Sequence, residues 1–358
     1  MKNWLKKSIL TLAITSFSLS FAVDKTANEK SYKKENTVKA KNYDQGHSVE
    51  EHQMLGAYNA PARIDVRGSF DVYTEAAFIY WQGKEKGLDF AFSDKTLATA
   101  KDHWVYPHFD YKPGFKVGLG VNFDYDNWDM FVGYTWLHFK DKKTSYEGTE
   151  ETFTATWYEG LNSSKVANKW TFDYDMIHLA LERAFYLGTK FTCQPSFGLK
   201  GGWITQKFNP VYTTANGDVF VKAKSRSWLV GPRAALDANY LFGMGFKGFG
   251  KVGTALFFQR GKTYVKKDNS TTPGTLAYNY YNKDSIVVPN ANLSLGLGWG
   301  TYFANNGFHF DLDVSYDFEI YWNQNLMRQM LDKGYATVQT KANDLTLQGL
   351  TLMMRFDF

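Results

Sequence analysis

From Ser69 onward, large apolar residues recur at every second position, strand after strand. Phe70, Val72, Ala76, Phe78 and Tyr80 share one face, and Asp71, Tyr73 and Glu75 take the other. Phe115, Val117, Leu119, Val121 and Phe123 continue the pattern, as do Met130, Val132, Tyr134 and Trp136 after a tight turn at 124–127. It recurs around Ile177–Glu182, Phe191–Trp203, Trp228–Tyr240, Phe246–Gln259 and Asn290–Trp299. The clearest case sets Phe308, Phe310, Leu312, Val314, Tyr316, Phe318 and Ile320 against His309, Asp311, Asp313, Asp317 and Glu319. A period of two describes half-buried antiparallel strands, not helices. Soluble strands average about five or six residues, and a tilted strand needs about 9–11 to cross a bilayer. Several of these runs are longer than either, which favours membrane-spanning strands.

Two further patterns agree. Trp and Tyr gather toward strand ends, at Tyr80–Trp81, Trp136, Trp203, Trp228, Tyr240, Trp299 and Tyr321–Trp322, where headgroup-level girdles would lie. Tight turns near 124–127, 187–188, 243–245 and 304–307 alternate with long polar stretches at 82–111, 140–169, 207–221, 261–285 and 323–344. Short turns on one side and long loops on the other are the grammar of outer-membrane barrels. The expectation is an all-β, transmembrane antiparallel β-barrel over 69–358, with ten spanning strands and both termini on the periplasmic side. A spanning strand over Leu88–Ser93 would raise the total to twelve; a hairpin extension of the first loop is preferred there.

The N-terminus has the form of a secretory signal. Lys2, Lys6 and Lys7 precede the uncharged run Ser8–Ala22, and Ser20 and Ala22 are small residues at the expected cleavage positions. Residues 1–22 are therefore expected to be removed, leaving a lysine-rich polar tail over 23–68. The run is shorter than the roughly 20 residues a spanning helix needs. Loss of those lysines brings the formal charge of +5 close to neutrality, so the basicity carries no message about nucleic acid. Aromatic residues make up 18% of the 358, with 30 Gly and only 8 Pro, and mean hydropathy is −0.40. The single Cys193 allows no internal disulfide and is expected to pack or to face lipid.

The segments Asp71–Ala91 (DVYTEAAFIYWQGKEKGLDFA), Phe109–Gly120 (FDYKPGFKVGLG), Asp126–Trp136 (DNWDMFVGYTW) and Gly231–Gln259 resemble the major outer membrane protein family of Legionella and the porin-like proteins of chlamydia-like bacteria. That resemblance implies a surface-displayed outer-membrane barrel proposed to form pores, and supplies no catalytic residue. Chlamydial members are often cysteine-rich and cross-linked; one Cys cannot reproduce that. Leu350, Leu352, Met354, Phe356 and Phe358 alternate to the carboxyl end, which resembles the signal read by the barrel-assembly machinery, with Phe356 and Phe358 as its aromatic elements. Met353 stands where that signal usually carries Gly.

No phosphate-binding loop, zincin or hydrolase motif is present, and no catalytic, metal or cofactor site is expected. His309 with Asp311, Asp313, Asp317 and Glu319 is the nearest approach to a constellation, but a water-filled lumen simply requires charged residues. The expected lumen lining is Lys116, Lys200, Arg233, Lys247, Lys251 and Arg355 facing Glu75, Glu182, Asp237, Asp311, Asp313, Asp317 and Glu319. Basic residues on Lys200–Lys251 and acids on Asp311–Glu319 are segregated as in a porin constriction. The expected function is a porin-like, non-enzymatic channel for small solutes; the alternative is a closed structural or adhesive barrel that works through its long loops. Open porins usually have 16–18 strands, which weighs on the first. Expected partners are outer-membrane lipid, lipopolysaccharide and the barrel-assembly machinery, with no nucleic acid; a homo-oligomer is left open.

Overall fold

The computed structural model describes residues 60, 62–66, 71–95, 103–123, 127–141, 144–148, 151–158, 160–268, 271–272, 274–325, 327 and 343–358. The expected signal segment, nearly all of the polar tail, positions 124–126 and most of the last long loop lie outside these residues. Ten long strands build the wall: β1 (Val72–Glu85), β2 (Tyr111–Asn122), β3 (Trp128–Lys140), β4 (Trp170–Arg183), β5 (Phe191–Phe208), β6 (Gly217–Gly243), β7 (Phe246–Asp268), β8 (Leu276–Phe303), β9 (Phe308–Asn325) and β10 (Asn343–Asp357). Each pairs antiparallel with its neighbour in sequence, and β1 pairs with β10 from Tyr73↔Asp357 to Glu85↔Leu345. The sheet thereby closes and leaves no unpaired edge in lipid, which is the condition for a sheet to span a bilayer.

Side-chain parity then sorts lipid from interior. Phe78, Val117, Phe197, Leu256, Leu295, Leu297, Val314 and Leu352 all point outward and are exposed. Their inward neighbours include Tyr73, Ser196, Asn290, Asp313 and Thr351, all buried. A water-soluble protein does not leave so continuous an apolar surface uncovered. Tyr80 stacks on Tyr111 at 5.6 Å and Phe115 on Trp136 at 5.3 Å along the outer girdle. At the other end Tyr240 meets Phe242 at 5.4 Å, and Phe356 lies 5.7 Å from Phe308 and 5.6 Å from Phe358.

Tight turns crowd the periplasmic end. Met244 adopts φ +52° between Gly243 (+107°) and Gly245 (+82°), and Ala304, Asn305 and Asn306 follow one another at +51°, +57° and +63°. Glycine and asparagine tolerate this left-handed region, whereas Met244 and Ala304 carry the cost of closing their hairpins. Ala60 and residues 62–66 also lie at this end: Ala62 N–H donates to Ala184 C=O (3.0 Å), Tyr186 N–H to Ala60 C=O (2.8 Å) and Arg63 to Phe123 C=O (3.2 Å).

The outer end departs from expectation. The stretches 207–221 and 261–285, expected as loops, are largely strand: β6, β7 and β8 run 27, 23 and 28 residues. They continue far past the bilayer as a paired ribbon. Ala91–Lys95 pairs with His103–Val105 and Glu151–Ala155 in a separate small sheet, so the Leu88–Ser93 region adds no spanning strand. Val211–Thr214 folds back on the start of β6 and pairs with Lys165–Asn168. One apolar cluster joins these layers to the barrel. It runs from Phe90, Phe153, Trp157, Tyr212 and Val219 into Trp81, Phe139, Trp170, Phe172, Phe208, Phe257, Tyr321 and Leu347.

Candidate functional site

Every lumen residue expected from sequence lies on the inward face. On β9 the odd positions His309, Asp311, Asp313, Ser315, Asp317 and Glu319 point inward and are buried. Their cations come from strands that are not neighbours in the wall. Lys247 of β7 reaches over β8 to Asp311 (3.0 Å) and Asp313 (3.2 Å). Gly298 makes that reach feasible, because a Cβ there would strike the Asp313 carboxylate and stand 2.6 Å from the Lys247 stem. Lys116 of β2 crosses to Asp317 at 2.8 Å and lies 4.3 Å from the Trp81 ring centre. Asp317 also accepts from Thr351 (2.7 Å) and Ser315 (2.8 Å). Lys200 of β5 spans the interior to Glu319, which further accepts from Tyr321 (2.8 Å), Asn290 (3.0 Å) and Tyr174 (3.3 Å).

Toward the periplasm, Arg355 binds Asp357 at 2.8 Å and lies 3.8 Å from Glu75, its guanidinium 3.7 Å over the Tyr73 ring. Lys251 pairs with Asp237 at 3.4 Å. Gln194 donates to Glu182 at 2.9 Å, and Arg233 donates to Ser196 at 3.4 Å. The segregated walls therefore pair with each other across the interior. A buried pair is kept by geometry and extra hydrogen bonds, since desolvation offsets much of its Coulomb gain. In this narrow interior the opposite charges meet in contact pairs.

Two cavities lie in the interior among the described residues. One of about 210 Å³ lies beside Glu75, His178, Glu182, Arg233 and Lys251 under Trp81 and Tyr174. The other, about 400 Å³, reaches Arg63, Asn127, Tyr186 and His309 at the periplasmic end. Gln194, Asp237, Lys251 and Arg355 line both. Above Trp81 and Tyr174 the interior is filled: Trp170, Phe172, Phe208, Phe257 and Tyr321 are completely buried. This aromatic plug was not expected from the sequence. Among the described residues, no group of three His, Cys, Asp or Glu side chains is arranged to hold a metal ion. Cys193 is buried in β5, paired across the wall with Phe185 and Ala238.

The sequence profile described as Legionella pneumophila major outer membrane protein precursor matches residues 65–358, which takes in the whole barrel. The chain belongs to this family. The family and the closed barrel place it in the bacterial outer membrane. No curated protein matches the chain. Among solved structures, this family member is similar to the outer membrane protease OmpT of Escherichia coli, at 8% identity and a TM-score of 0.41, over 80% of this chain and 96% of that one. It is also similar to the Pseudomonas putida toluene transporter TodX (10% identity, TM-score 0.30, 80% of this chain and 88% of that). A third is Ail, the attachment invasion locus protein of Yersinia pestis (8%, 0.20, 80% and 99%). At these values the likeness carries nothing about activity.

Beyond the membrane, Asp141 follows β3 at the outer rim. Its carboxyl is pushed up from an ordinary 3.8 to about 6 by burial; Lys112 pulls it down and Asp110 pushes it up. Lys112 stands 3.5 Å away, and among the described residues neither carboxylate oxygen accepts a hydrogen bond. Asp141 thus holds its proton in the folded barrel between about pH 4 and 6, where the unfolded chain would lose it, and its contribution to stability falls as pH rises through that window. Asp141→Asn is expected to flatten the fall and to raise the melting temperature at pH 7. Thermal unfolding of the detergent-refolded protein at several pH values measures both; a slope unchanged in the variant rejects Asp141 as its source.

Proposed function

We propose that the protein is a closed, non-catalytic surface barrel that contacts other molecules through its outer β-layers, not an open diffusion pore. The observation that carries this is the aromatic plug. Trp81, Phe139, Trp170, Phe172, Phe208, Phe257 and Tyr321 belong to one buried cluster continuous with the outer sheets. Small barrels fill their interiors with side chains, while open channels come with many more strands. Large apolar residues such as Trp104 (51% exposed) and Tyr106 are exposed on the outer layer, as contact residues would be. Planar-bilayer recording of the refolded protein tests the proposal. No discrete conductance steps are expected; regular steps would overturn it.

A porin-like channel is the second reading, favoured by the charged periplasmic half and its two cavities with shared lining. It requires the plug to move. Under it, Lys247→Glu with Lys251→Glu would shift reversal potentials toward cation selectivity, because charges so placed act within about 8–10 Å.

The carboxyl end fits a role in assembly. Phe358 N–H donates to Val72 C=O at 3.1 Å, fixing the last residue to the first strand at the closing seam. Deleting Phe358 is expected to lower outer-membrane yield and leave chains in the periplasm, as fractionation and heat-modifiability on gels would show. Wild-type yield would remove the terminal phenylalanine from any assembly signal.

A further inference from the structure

The outward face of β6, β7 and β8 changes character abruptly at the outer girdle. Below it Val230 pairs with Phe258, and Phe258 with Val287, all exposed and apolar. One step outward, Trp203 pairs with Trp228 and Trp228 with Arg260. The next row is Arg226↔Lys262↔Lys283, and the one beyond carries Lys207↔Lys224 beside Tyr264↔Tyr281. Lys222↔Lys266 follows. Like charges directly opposite on a sheet destabilise it, so this arrangement costs stability unless an anion neutralises it.

None of the cations Lys222, Lys224, Arg226, Arg260, Lys262 and Lys283 has a carboxylate at ion-pair distance among the described residues. Elsewhere on the outer rim several cations are paired. There Lys86 pairs with Asp344 (2.8 Å), Lys112 with Asp110 (3.1 Å) and Lys165 with Glu147 (2.6 Å). On this face like charges stand directly opposite one another, and the cluster begins where lipid contact ends.

Depth identifies the partner. Arg226 stands two residues past Trp228 and Lys222 six, or about 7 and 20 Å along a strand at roughly 3.3 Å per residue. The aromatic girdle marks the headgroup level. The cations therefore occupy the headgroup layer and the zone just outside it, continuous with apolar wall below. Tyr264 and Tyr281, 4.9 Å apart, offer a ring platform among them.

We propose that this face binds a phosphorylated glycolipid of the outer leaflet, of the lipopolysaccharide class. Its acyl chains lie on Val230, Phe258 and Val287, its phosphates at Arg226, Lys262 and Lys283, and its sugars against Tyr264 and Tyr281.

The test compares refolded full-length protein with the triple variant Arg226→Gln/Lys262→Gln/Lys283→Gln, in neutral detergent, against diphosphoryl lipid A. Binding is read by native mass spectrometry and by the shift in melting temperature. Wild type is expected to retain lipid A and melt higher with it; the triple variant should bind roughly 100-fold more weakly. Without lipid A the variant should melt no lower than wild type, which separates lost binding from lost folding. Lipid A stripped of phosphate and phosphatidylglycerol should both bind wild type weakly. Equal lipid A binding by the triple variant, or an equal loss in Lys86→Gln/Lys112→Gln, would overturn the site. Equal binding of dephosphorylated lipid A or of phosphatidylglycerol would overturn the ligand.

Discussion

Lys200→Met is expected to cost about 3–5 kcal/mol of folding stability, because it strands Glu319 as an uncompensated buried charge. The Lys200 and Glu319 side chains are only 12% and 9% exposed. Lys200 comes from β5 and Glu319 from β9, so the bridge spans the interior and does not follow the wall. Tyr321, Asn290 and Tyr174 still donate to the orphaned carboxylate, but no other lysine or arginine has been found within ion-pair reach of it among the described residues. Adding Glu319→Gln should recover most of the loss, since removing both partners removes the desolvated charge. The Lys251–Asp237 pair, at 35% and 23%, is more exposed and provides the contrast, and Lys251→Met should cost less than Lys200→Met. Urea unfolding of vesicle-inserted protein measures all three variants. A loss below about 1 kcal/mol for Lys200→Met would show that water, not Lys200, compensates Glu319.

The wall was legible because lipid and interior impose opposite demands on adjacent residues. Phe78 and Tyr80 against Tyr73 and Glu75, or Val314 against Asp313, report their faces directly. The plug was less legible, because above the bilayer the demand inverts. On β4 the outward residues Ile177, Leu179 and Leu181 are apolar, yet further out along the same face stand Asp173 and Asp175. There the inward Trp170, Phe172 and Tyr174 are the buried ones. On β6 the same exchange sets Val219, Val221 and Ala223 inside and Lys222, Lys224 and Arg226 outside. Water surrounds the barrel at that height, so strand and core follow the rule for a soluble protein. A polarity inversion along a strand marks the membrane boundary, and the run Ala77–Trp81, apolar at every position, lies on it.

The cross-lumen pairs carried no local sign. Lys116 and Asp317 are 201 residues apart, Lys200 and Glu319 are 119 apart, and both bridges depend on which strands closure sets opposite. The sequence placed each charge on the correct face but could not choose its partner. The narrowness of a ten-strand barrel made that choice, and it turned two walls of opposite sign into a paired network.

Val314→Arg is expected to cost about 2–4 kcal/mol, the range for arginine on the lipid face near the bilayer midplane. Val314 is 49% exposed and sits between Leu297 on β8 and Leu352 on β10, both exposed beside it. It lies midway along the apolar outer face of β9, between Phe308 near the periplasmic girdle and Phe318 toward the outer one. Arginine there must carry its guanidinium either into hydrocarbon or several ångströms along the wall to the interface, and snorkelling relieves only part of the penalty. Asp313→Asn, one residue away, should be far milder. Its side chain points inward, and Lys247 keeps Asp311 at 3.0 Å when Asp313 loses its charge. Folding yield and unfolding free energy in vesicles compare the two substitutions. Wild-type stability of Val314→Arg would mean that β9 presents its other face to lipid, and with it every lumen contact from Lys247–Asp311 to Lys200–Glu319 would have to be reassigned.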